Sequence, residues 1–149
     1  MVKVQHEDFD AGAEIASMRL SRPDIGAVAV FLGQVRDIND GSSVVKLTLE
    51  HYPGMTEKAL EDIVAQAVKR WHIFDALVIH RVGTLQPMDQ VVMVAVVGAH
   101  RAAAFDACEF IMDYLKTQAP FWKKELTGSG ERWVEARESD NLAKARWDQ

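Results

Sequence analysis

The chain has a single cysteine, Cys108, among its 149 residues. One thiol excludes an internal disulfide and a cysteine-built metal cage. The five histidines, at positions 6, 51, 72, 80 and 100, fall in no His-x-x-x-His or similar ligand spacing, so no metal or other cofactor is expected. Positive charge is also short: 17 Lys and Arg stand against 22 Asp and Glu, leaving a net charge of -5. A general nucleic-acid binder carries a basic footprint instead. The longest apolar run, Val91 to Val97, is far too short to span a bilayer, and the N-terminus lacks the basic-then-apolar order of a signal peptide. The expectation is a cytoplasmic protein with neither nucleic acid nor membrane as a partner.

What is present is ordinary globular composition, 48% hydrophobic and 26% charged, at a length that suits one domain over residues 1–149. The positive charge it does have gathers around the stretch from His100 to Glu125. Phe105, Cys108, Ile111, Met112 and Leu115 recur at three and four residues and predict one apolar helix face. Pro120 stops that helix, which leaves Lys116 in or near its last turn. A cation there complements the helix macrodipole on its own account, and it can also take an anion. His100 and Arg101 open the helix, where free backbone N–H groups favour anions. Arg101 and Lys116 are fifteen residues apart, or roughly 22 Å along a continuous helix axis. If both serve one small ligand, they come from different subunits. Cys108 falls on the apolar face and reads as a buried structural residue.

Elsewhere the periodicities are plain. Val2 to Val4 suits a short strand, and Ala11 to Leu20 a short helix with Ile15, Met18 and Leu20 as its apolar stripe. Ala27 to Leu32 is a continuous apolar run, the pattern of a strand buried on both faces. Val45, Leu47 and Leu49 alternate with polar residues after the turn signal Asn39-Asp40-Gly41, and the two segments predict a hairpin with Arg36 at its mouth. There Arg36 either guards a strand end or binds a ligand. Leu60, Ile63, Val64, Ala67, Val68 and Trp71 mark a second, structural helix. Ala76 to Val82 and Gln90 to Val97 predict a second hairpin, which makes His80 a strand residue: satisfied and half-buried, or catalytic. Thr127 to Gly130 is a turn, Arg132 to Arg137 one more strand, and the segment from Ser139 a short helix carrying Leu142, Ala143 and Trp147. Hairpins in place of strand-helix alternation predict an α+β fold, a mixed and mainly antiparallel sheet with packed helices.

A series of segments then closely resembles the large, catalytic subunits of molybdopterin synthase. They are Glu50 to Leu60, Ile79 to Gly83, Ala99-His100-Arg101, Phe110 to Thr117, Ala119 to Glu125 and Trp133 to Arg137. The resemblance runs in order from about Gly26 to Trp147. It implies an α/β-hammerhead fold and a sulfurtransferase of molybdenum-cofactor biosynthesis that converts cyclic pyranopterin monophosphate (precursor Z) into the dithiolene molybdopterin. It further implies a small ubiquitin-like sulfur-carrier partner with a thiocarboxylated C-terminal glycine, and a homodimer of large subunits within a heterotetramer. Position by position, Lys116 and Lys123 resemble the catalytic lysines. Arg36, His100 and Arg101 resemble the residues that hold the pterin phosphate, with Gln34 and Val35 beside Arg36. Lys116, Lys123, Lys124, Glu125 and Arg137 complete the implied substrate-binding set, Lys124 standing where relatives often have arginine. An adaptor that only binds a ubiquitin-like tail is the alternative, though it has no need of the lysines and the phosphate-binding residues together.

Overall fold

Side-chain alternation and strand order together decide which apolar residues this chain can bury by itself. The computed structural model describes residues 1–39, 41–134 and 138–148. The first part of the chain forms β1 (Val2–Gln5), α1 (Ala11–Arg19), β2 (Ala27–Gln34), β3 (Ile38–Asn39), β4 (Ser42–His51) and α2 (Met55–Trp71). The rest forms β5 (Asp75–Arg81), β6 (Gly83–Leu85), β7 (Gln90–Gly98), α3 (Arg101–Thr117), β8 (Phe121–Thr127), β9 (Gly130–Val134), α4 (Glu138–Ala145) and a 3-10 turn at Arg146–Asp148.

One sheet has the order β1-β5-β7-β2 and is antiparallel except for the parallel β1–β5 pair. The expected hairpin of β5 and β7 forms, with Val78 beside Val94. Both of its faces are covered, as a near-continuous apolar sequence requires. Ala76, Val78, Val92, Val94 and Val96 join the main core with α2 and α3, while Leu77, Ile79, Met93 and Ala95 form a smaller cluster beneath Phe9, Ile15 and Met18. Leu20 lies past the end of α1 and is exposed. In the second sheet, order β3-β4-β8-β9, β4 also pairs with the short β6. The main core reaches into this sheet through Leu47, Leu49 and Leu85.

Two expectations are corrected. β2 does not form a hairpin with β4; it pairs with β7 in the first sheet, and β4 lies in the second. β4 pairs instead with the short β3, Asn39 lying opposite Ser42, and Gly41 takes φ +77°, a left-handed conformation that favours glycine. Nor is β2 buried on both faces. It is an edge strand, and Val30, Phe31 and Leu32 are 42%, 40% and 41% exposed. Periodicity reports the apolar run but not whether this chain supplies a cover for it.

Two local devices fix the ends of helices that matter below. The residue at Gly26 must be small, because a Cβ there would run into the carbonyl oxygen of Ala99, one residue before His100. At the start of α2, Thr56 Oγ1 accepts from the Tyr52 N–H (3.1 Å) and donates to the Tyr52 carbonyl (2.9 Å), and the Glu57 carboxylate accepts from the Gly54 N–H (2.6 Å). Gly54 takes φ +86° to make that turn. The polypeptide from His51 to Gly54 is thereby held rigid beside β8. The final strand ends at Val134, within the span expected for it, and Glu135, Ala136 and Arg137 lie outside the described residues.

Candidate functional site

α3 is continuous from Arg101 to Thr117, and its buried face consists of Ala104, Ala107, Cys108, Phe110, Ile111, Met112 and Leu115. Phe105, expected on that face, is 65% exposed, because the covered stripe is centred on Ala104 and Ala107 and leaves position 105 at its margin. Cys108 is buried, and burial with the nearby Glu109 charge pushes its thiol up to about 11, so it is no nucleophile at neutral pH.

After Thr117 the chain turns through Pro120 directly into β8. Alternation along that strand sends Phe121, Lys123, Glu125 and Thr127 to one face and Trp122, Lys124 and Leu126 to the other. The turn brings Lys123 back onto Lys116. Burial, the Lys116 charge and a side-chain contact with Lys116 lower the Lys123 ammonium to about 8, partly opposed by Asp140 and Glu125. Lys123 is thereby a group able to exchange a proton near neutral pH.

Beneath the pair lies His80, 6% exposed, its imidazole flat against Phe121 with 3.9 Å between ring centroids and 18° between planes. Burial, together with the charges of Lys123, Lys116 and His51, brings its pKa down to about 3 even though the Arg81 carbonyl accepts from Nδ1 at 2.8 Å. His80 therefore stays neutral. His51, paired with Phe121 across β4 and β8, has a buried Nδ1 without a hydrogen-bond partner. His51 and Phe121 were not singled out from the sequence. Alternation along β8 puts Phe121 on the face of Lys123 and Glu125, and His51 becomes its neighbour only through the β4–β8 pairing.

The other expected residues fall into three places. Gln34, Val35 and Arg36 line an open groove of about 570 Å³ with Asp37, Ile38, Pro87 and Met88. Val35 N–H donates to the Asp89 carbonyl and its own carbonyl accepts from Met88 N–H, both at 2.9 Å, so its backbone is engaged within the protein. Arg36 is exposed. The β2–β7 register sets Gln34 beside Gln90 at one end of the sheet and Ala27 beside Gly98 at the other. Arg36 thus belongs to the His80 end. His100 and Arg101, exposed at the start of α3, belong to the opposite end and do not meet the lysines of the same chain.

Lys124 and Glu125 are tied within the second sheet. The Lys124 ammonium is 3.0 Å from Glu131 and 5.5 Å from the Trp133 ring centroid, on the face away from Lys123. Glu125, buried, accepts from Arg132 Nη2 at 3.0 Å and from Asn39 Nδ2 at 2.5 Å, which joins β3, β8 and β9. Arg137 lies outside the described residues.

The family model described as MoaE protein matches residues 4–118. The chain is 66% identical over 146 residues to the molybdopterin synthase catalytic subunit of Ralstonia nicotianae, covering 98% of this chain and 83% of that one. This chain belongs to the MoaE family. It is accordingly a molybdopterin synthase catalytic subunit, an enzyme of the sulfurtransferase class in molybdopterin biosynthesis. A MoaE relative in Pseudomonas aeruginosa, also described as a molybdopterin synthase catalytic subunit, is 53% identical, with 99% of each chain covered. Among solved MoaE structures, that of Burkholderia ambifaria superposes with a TM-score of 0.85 at 56% identity, covering 100% of this chain and 98% of that one. A complex of subunits 1 and 2 of molybdopterin-converting factor from Helicobacter pylori shares the fold, with a TM-score of 0.72 at 21% identity, covering 92% and 90%. No helix among the described residues is long and apolar enough to cross a membrane.

Proposed function

We propose that this MoaE chain transfers sulfur, in the cytoplasm, from the thiocarboxylated C-terminal glycine of a small ubiquitin-like subunit to cyclic pyranopterin monophosphate. The convergence of Lys116 and Lys123 carries this reading. A thiocarboxylate is an anion, and attack by its sulfur leaves charge to be stabilised and protons to be moved. An ammonium positioned beside the reacting atoms stabilises a developing oxyanion. The neighbouring lysine, lowered to about 8, exchanges protons at working pH.

The pterin phosphate falls to Arg36, His100 and Arg101, with Gln34 beside them. Because α3 separates Lys116 from Arg101 by its whole length, we place Arg36 and the lysines from one protomer with His100 and Arg101 from a second. The exposed apolar edge formed by Val30, Phe31 and Leu32 supports pairing of two such chains. The small subunit then brings its tail to each lysine corner, giving a heterotetramer. One core runs through both sheets and supports action as a single domain.

The test is conversion of cyclic pyranopterin monophosphate by the purified chain with and without the thiocarboxylated small subunit. Dithiolene formed only with the subunit is the expected result. Tight binding of the subunit without product would leave an adaptor and overturn the catalytic reading.

A further inference from the structure

The sulfur-transfer reading needs Arg36 at a set place relative to the strand that carries Lys123. Arg36 is exposed, so its aim depends on the backbone on either side of it. On one side Val35 is bonded to Met88 and Asp89. On the other, the Val44 N–H donates to the Asp37 carbonyl at 2.7 Å, and Ile38 and Asn39 form β3 at the edge of the second sheet. A strand of two residues has little ladder of its own to hold it there. Asn39 is gripped instead from β8 and β9, neither of which is its ladder neighbour. Glu125 Oε1 accepts from the Asn39 side-chain amide at 2.5 Å, and Arg132 Nη2 donates to the Asn39 carbonyl at 2.7 Å. The same guanidinium binds Glu125 Oε2 through Nε at 3.2 Å and Nη2 at 3.0 Å, so the side chain and the main chain of Asn39 are fixed by one ion pair. Glu125 is buried and lies two residues after Lys123 on the same face of β8, roughly 7 Å along the strand. An apolar pair would join these strands at no greater cost than a buried carboxylate and its guanidinium. What the ion pair adds is direction.

We propose that Glu125 and Arg132 are positioning residues that act through Asn39 to set Arg36 relative to Lys123. The inference rests on the reading of Arg36 as a residue that binds the substrate phosphate. Neither Glu125 nor Arg132 touches the substrate in this account. Arg36 stands three residues before Asn39, and with Val35 and Asp37 bonded as well, the short segment between them cannot swing the guanidinium out of the groove.

Equilibrium binding of cyclic pyranopterin monophosphate to the full chain, measured by titration calorimetry without the small subunit, tests this. Arg36→Ala should weaken binding by about 10- to 100-fold. Arg132→Met keeps the side-chain stem, removes the fork and should weaken binding about tenfold. Because Arg132 acts only through Arg36, the double variant should lie within about twofold of Arg36→Ala alone. Arg132→Lys keeps the charge but cannot span the Glu125 carboxylate and the Asn39 carbonyl as a fork, and should bind like Arg132→Met. Wild-type affinity in a folded Arg132→Met or Arg132→Lys protein would overturn the proposal. So would a double variant about tenfold weaker than Arg36→Ala, which would make Arg132 a direct contact or a merely structural residue. Unchanged binding by Arg36→Ala would remove the phosphate reading and the proposal with it, whereas a failure of sulfur transfer itself leaves all of these affinities as expected, so the readings fail separately.

Discussion

The imidazole of His80 lies against the ring of Phe121, 3.9 Å between centroids, and fixes where β8 leaves the helix-strand turn that joins Lys116 to Lys123. Two elements far apart in sequence, β5 and β8, thereby set the floor on which two like charges are brought together. Holding the half-buried Lys123 ammonium beside Lys116 opposes folding, and the cost should be measurable.

Lys123→Met removes that cost. The folded pKa of about 8 lies below the ordinary 10.5, so the unfolded chain binds the proton more tightly and stability is lost as pH falls from 10.5 through about 8. At pH 7 the full penalty is present. The substitution is expected to raise stability at pH 7 by about 1–2 kcal/mol while abolishing turnover. Urea unfolding at pH 7 and near pH 10.5 checks it: the gain should shrink at the higher pH.

His80 acts at the acid end. Its folded pKa near 3 is below the ordinary 6.5, so stability is intact above 6.5 and lost as pH falls through 3. Between pH 7 and pH 4 the wild type is expected to lose about 2–3 kcal/mol that His80→Phe does not lose. Chemical unfolding of both proteins at the two pH values decides it.

Glu125 offers a separation of structure from binding. Its carboxylate is engaged by Arg132 and Asn39, so Glu125→Ala strips a buried acceptor from both and should cost about 1–3 kcal/mol. The melting temperature measures this in the absence of any ligand. An unchanged stability would contradict a structural role for these bonds.

The shared site is tested by mixing. A Lys116→Ala chain and an Arg101→Ala chain, each inactive as a homodimer, should recover up to about a quarter of wild-type activity per site in statistically mixed dimers, since one of the two sites in each heterodimer is intact. Activity of isolated mixed dimers, compared with each parent, is the readout. No recovery in demonstrated heterodimers would contradict a site built from two chains.

Much of the fold was legible because helix and strand periodicities are local. The stripe from Leu60 to Trp71, the stop at Pro120 and the β5–β7 hairpin each follow from a few neighbouring residues. Strand partners are not local: β2 and β4 look like a hairpin in sequence, and only the turn at 35–38, with Val35 bonded to Met88 and Asp89, sends them to different sheets. Phe105 and the edge of β2 misled for a related reason, since an apolar residue does not reveal whether its cover lies in the same chain. At the site, the helix period with the stop at Pro120 marks Lys116 and the turn signal marks Arg36, while the family resemblance adds Lys123 and the roles of all three. His51 and Phe121 stayed hidden until the β4–β8 register placed them side by side.

The central claim is that Lys116 and Lys123 act on the partner's thiocarboxylate, and single-turnover conversion of cyclic pyranopterin monophosphate by Lys116→Ala tests it most directly, with binding of the small subunit measured on the same protein. The account predicts a rate reduced by about 100-fold or more with partner affinity close to wild type. Wild-type turnover in that variant would contradict it.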